Sequence, residues 1–123
     1  MDDVSLLHPV LLHGPVGSGL AQRDYGISNR KVLDAISFHT TGRINMTMLE
    51  KIIFIADYIE PGRDFEGIEK IRTTAFNDID AAMLIALDNS IRYIIYKGKL
   101  IHTNTIEARN FIIKQSYLQK QSN

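Results

Sequence analysis

The chain has 123 residues, 45% of them hydrophobic and 23% charged, which fits one globular domain around a single core and excludes disorder as a description of the whole. Its 14 Lys and Arg balance 14 Asp and Glu, so bulk charge gives no reason to propose nucleic acid or an anionic membrane surface as the main partner. There is no cysteine, which excludes disulfides and thiolate sites and leaves imidazole and carboxylate as the ligands for any transition metal.

In chain order the sequence predicts helices joined by short loops. After Leu11 and Leu12, Pro15 suits a first helical turn and Gly26 closes the segment. Ser28 is the expected cap of a second helix, in which Val32, Ala35, Ile36 and His39 recur at helical spacing before TTGR ends it. Thr47 and Glu50 form a T-x-x-E capping box for a third helix, which Pro61-Gly62 stops. A fourth covers Ile68 to about Phe76, and Asp78 opens a long fifth that ends near Gly98. Thr103 or Thr105 is expected to cap a last helix before the polar tail QKQSN. No strand pattern competes, so the class is all-α and the chain is one domain over 1–123, with 1–10 a lead-in and 117–123 a tail expected to be poorly ordered. No apolar run approaches the roughly 20 residues of a membrane span, and MDDVSLLHPV lacks the basic and apolar regions of a leader. The expected location is cytoplasmic.

Three positions are candidates for chemistry. His13 lies at a helix entrance before Gly14-Pro15, where small residues let a ligand approach the backbone. The plainer alternative is a half-exposed capping histidine, the commoner fate of a lone one. His39 continues an apolar stripe, so its ring should face the interior and find a partner, either a carbonyl or a ligand. Asp57 interrupts the run Ile52, Ile53, Phe54, Ile55, Ala56 and Ile59, and a carboxylate buried there has to be paired, neutralised or metal-bound. No short metal-binding spacing links the three. His8 and His102 read as structural or surface residues. Lys51, on a face with Phe54 and Tyr58, borders the same region. Arg43 and Arg63 sit in loops next to His39 and Asp57, where a guanidinium meets phosphate oxygens bidentately or pairs with Glu60, Asp64 or solvent.

Taken together, HGPVG at His13, HTTGR from His39 to Arg43, LEKIIFIADYIEPGRDFEG from Leu49, LDNSIRY from Leu87 and TIEARN from Thr105 resemble the HD-superfamily symmetrical diadenosine tetraphosphatases, the YqeK family. The likeness runs from Leu11 to Gln115. It implies an all-helical HD-type phosphohydrolase domain with two divalent or mixed-valence metal ions, reported as iron. The implied substrate is a dinucleoside polyphosphate, cut symmetrically into two nucleoside diphosphates. It further implies that His13 and His39 are ligands of one metal and Asp57 of the other, with Arg43, Lys51 and Arg63 as polyphosphate contacts.

The family's amino-terminal helices carry a further histidine and the His-Asp doublet, and no such doublet occurs here: His8 is followed by Pro9. The expectation is therefore the carboxyl-terminal part of such a hydrolase, with little or no activity alone, and with apolar helix faces that favour homo-oligomers or association with the missing amino-terminal segment. Two other classes stay open: a non-catalytic nucleotide-binding or assembly module, and an HD phosphohydrolase for another nucleotide.

Overall fold

The computed structural model of the chain describes residues 13–121, with side chains from Gly14 onward. Among the described residues there are six helices and no strand: α1 His13–Tyr25, α2 Arg30–Ser37, α3 Met48–Tyr58, α4 Ile68–Asn77, α5 Ile79–Tyr96 and α6 Thr103–Gln121. The all-α expectation is met.

Local chemistry sets most of the boundaries. Asn29, not Ser28, caps α2: its extended backbone (φ −67°, ψ 117°) lets the side-chain oxygen accept from the Lys31 and Val32 N–H groups, and its carbonyl takes the Leu33 N–H. Both neighbours are good capping types, and the first helical hydrogen bond decides between them. At α3 the capping box forms as expected, with Thr47 accepting from the Glu50 N–H and the Glu50 carboxylate accepting from the Thr47 N–H. Asp78 closes α4 and caps α5 by accepting from the Ala81 N–H, so these two helices meet at a corner. The start of α6 differs from expectation. The His102 ring, through Nδ1, accepts the Asn104 N–H at 3.0 Å, while Thr105 is buried inside the helix. The helix also continues to Gln121, through much of the segment expected to be a polar tail.

The packing centres on α5, which touches α3, α4 and α6. Ala82, Met83, Ala86 and Leu87 are fully buried on it, and they join Phe54 and Ile55 of α3, Ile71 of α4, Ala108 of α6 and Met46 in one core. The α1 and α2 helices pack on each other, and α2 carries the pair onto α3. The turn after α2, where His39 lies, therefore follows the helix that joins this pair to the core.

Candidate functional site

The turn after α2 is fixed from several directions. Phe38 ends the helix by donating its N–H to the Asp34 carbonyl, and Gly42 closes the turn with an N–H to the Phe38 carbonyl at 2.9 Å. Gly42 has φ +72°, a conformation that strains any residue with a Cβ. A Cβ there would also press on the Ala108 Cβ of α6 at 3.3 Å. Inside this turn His39 is half-buried, with Nδ1 at 2.6 Å from the Ile36 carbonyl oxygen. A carbonyl only accepts, so Nδ1 is the donor, and the neutral ring carries its lone pair on Nε2. This is the tautomer that metal-ligating histidines use, the other nitrogen being held by a carbonyl. Beside it the Thr40 hydroxyl is buried with no hydrogen-bond partner among the described residues.

The start of α1 is laid against the same place. A Cβ on buried Gly14 would overlap the Ser37 carbonyl oxygen and lie 3.0 Å from that of Ile36, the acceptor of the His39 ring. Gly14 thus lies against the last residues of α2, next to the His39 turn. The side chain of His13, the other expected ligand there, lies outside the described residues, as does His8.

Arg43 turns out to be committed within the protein. Its Nε donates to Glu50 at 2.6 Å, a second nitrogen lies 3.4 Å from Asp34, and the guanidinium stacks on the Phe38 ring at 4.3 Å. Glu50 is 1% exposed. Burial alone would raise its pKa, but the hydrogen bonds from Arg43 and Thr47 outweigh burial and hold it below the usual carboxylate range. Lys51 is likewise paired, with Asp80 at 2.7 Å. Arg43 and Lys51 share the wall of a cavity of about 430 Å³ with Met46, Asp80 and Phe111, and neither His39 nor Asp57 lines it.

Asp57 corrects the sequence reading. It is not a buried carboxylate, since its side chain is 48% exposed. The apolar run of α3 is wider than its neighbours cover: Phe54 and Ile55 face the core, while Ile53, Ala56 and Asp57 share an uncovered face. Arg63 comes back to it from the loop, its Nε donating to the Asp57 carbonyl at 2.8 Å and another nitrogen lying 3.7 Å from the carboxylate. The loop itself is tied by Arg72 of α4, whose guanidinium donates to the carbonyls of Ile59, Glu60 and Arg63. Tyr58 packs edge-on against Phe65. Burial pushes its hydroxyl above the usual tyrosine value, against hydrogen bonds with Ser90 and Asn89.

His39 and Asp57 are donors of the right chemistry for a divalent transition metal, and His39 has the right tautomer. No three His, Cys, Asp or Glu converge among the described residues. Three residues around the candidate site have contacts that the sequence did not disclose: Glu50, read only as half of a capping box, Arg72, and Thr105, read only as a candidate cap and within TIEARN. The partners of Arg72 and Thr105 lie up to 13 and 64 residues away, while Glu50 pairs with Arg43 in the preceding loop.

No family model matches the chain. It is 44% identical over 111 residues to a Halalkalibacterium halodurans protein described as a symmetrical bis(5'-nucleosyl)-tetraphosphatase, covering 90% of this chain and 59% of that protein. A Bacillus subtilis protein of the same description is 38% identical, with 89% of this chain and 59% of its length aligned, and one from Staphylococcus aureus is 42% identical, with 82% and 53%. The chain thus spans less than two thirds of these relatives. The crystal structure of a predicted HD superfamily hydrolase involved in NAD metabolism from Clostridium acetobutylicum matches with a TM-score of 0.90 at 50% identity, over 94% of this chain and 61% of that one.

Proposed function

We propose that this chain, a homologue of symmetrical bis(5'-nucleosyl)-tetraphosphatases with the fold of an HD-superfamily hydrolase, supplies the His39 and Asp57 side of a metal-dependent phosphohydrolase centre. Its substrate on this reading is a dinucleoside tetraphosphate, divided into two nucleoside diphosphates. The observation that carries the reading is the His39 hydrogen bond: Nδ1–H on the Ile36 carbonyl leaves Nε2 as a ready ligand. Divalent cations, iron by the resemblance, supply Lewis acidity and an activated water when bound. His13 is the further ligand proposed beside His39, because it is the residue next to Gly14, which lies against the Ile36 and Ser37 carbonyls.

Asp57 offers an exposed carboxylate at the end of α3, and Arg63, held by the Asp57 carbonyl, carries the half-exposed guanidinium best suited to a phosphate. Arg43 and Lys51 are weaker candidates for that role, since phosphate would have to displace Glu50 and Asp80. The basic groups act by positioning and by neutralising charge, which is where most of the catalysis of phosphoryl transfer lies.

The test joins metal content to product analysis. Manganese or ferrous iron should bind the purified chain, and His39→Ala or Asp57→Asn should weaken binding by about tenfold or more. Cleavage of diadenosine tetraphosphate by the chain alone should be slight, with the diphosphate as its only product; turnover to a mixture of mono- and triphosphate would overturn the symmetrical reading. A second reading is a non-catalytic nucleotide-binding module, in which His39 and Asp57 serve as hydrogen-bonding groups. Nucleotide binding with no metal in the chain would establish that one instead.

A further inference from the structure

We infer that Thr105 of α6 and Arg43 are positioning residues for His39, so that the TIEARN segment is part of the site although it lies at the far end of the chain. The inference rests on the reading of His39 as a ligand. The Thr105 hydroxyl is buried and donates to the Thr41 carbonyl at 2.8 Å, across 64 residues of sequence. One turn along the same helix, Ala108 packs beneath Gly42. Arg109 then donates to Asp88 of α5 at 2.9 Å, which fixes α6 against the core.

From the other side Arg43 holds the turn's exit to Glu50 of α3 and Asp34 of α2, and covers the Phe38 ring. The backbone from Phe38 to Arg43 is therefore gripped at both Thr41 and Arg43. His39 lies between these grips and Ile36, and its ring is set by one short hydrogen bond to a carbonyl that belongs to the same stretch of chain. A shift of the turn would lengthen that bond and release the ring to its other tautomer. Outer contacts of this kind orient metal-ligating histidines. On this inference both act through the backbone of the turn, Thr105 on Thr41 and Arg43 at its exit, which makes them positioning residues.

The deciding variant is Thr105→Val, which exchanges the hydroxyl for a methyl of the same size. Arg43→Gln is a second probe, but it leaves Glu50 without its cation. Nitrogen-15 NMR of the metal-free full chain at mildly alkaline pH reads the His39 tautomer directly. Wild type should show the ring protonated on Nδ1, and Thr105→Val should show a mixture of tautomers at unchanged far-ultraviolet circular dichroism. Manganese affinity should fall with it by about 10-fold. A single unchanged tautomer in Thr105→Val, with wild-type affinity, would overturn the inference. His39→Ala separates the two claims. If that change leaves metal binding intact, the ligand reading fails, while the tautomer shift still decides whether Thr105 positions the ring.

Discussion

Glu50 ties the start of α3 to the loop that precedes it. Its carboxylate completes the capping box of α3 and anchors Arg43 while almost wholly buried. Arg43→Met should cost about 3 kcal/mol in urea denaturation, the low end for breaking a buried pair because Arg43 is partly exposed. The pH dependence has a definite sign. The Glu50 pKa is lower folded than unfolded, so the unfolded chain takes up protons first on acidification. The stabilisation is complete above the ordinary carboxyl value of 4.5 and is lost as pH falls through the folded value. Urea midpoints measured down an acid series should fall less steeply in Glu50→Gln than in wild type. At the alkaline end, the Tyr58 hydroxyl should ionise above the usual tyrosine value in an ultraviolet titration, because burial raises its pKa. Tyr58→Phe should remove that late step.

Helices were legible in the sequence where their signals are local, and the site was legible only in part. The Thr47–Glu50 box and the Asp78 cap are readable because both partners lie within one turn. A stripe of isoleucines shows that α3 buries a face, but not how many helices are there to cover it, and Asp57 was misplaced for that reason. The grip of Thr105 on Thr41 spans 64 residues and leaves no periodic trace. The same holds for the loop after α3, where EPGR announces a turn but not the Arg72 guanidinium that ties its carbonyls together. Arg72→Ala should free that loop while α3 and α4 remain helical. Limited proteolysis should then cut between residues 60 and 66 several times faster than in wild type. Unchanged cleavage would mean that the loop is held by Arg63 alone.

At the scale of the molecule the chain has two parts, a core gathered on α5 and the α1–α2 pair joined to it through α2 and α3. The two meet at the His39 turn, which α6 supports from the core and the start of α1 covers from the pair. Gly14 is the point where this arrangement is most easily broken, since any Cβ there runs into backbone rather than a yielding side chain. Gly14→Ala should push α1 off the end of α2 while leaving Met83, Leu87 and their neighbours packed. Hydrogen exchange should show this as loss of protection in α1 with protection kept through α5. A loss spread evenly over all six helices would mean instead that the chain unfolds as one unit. Metal affinity should fall in the same variant, because Gly14, and the proposed ligand His13 next to it, would be carried away from the Ile36 carbonyl that sets the His39 ring. If affinity stays at the wild-type value while α1 loosens, the His39 turn works without its amino-terminal neighbour and His13 is not its partner.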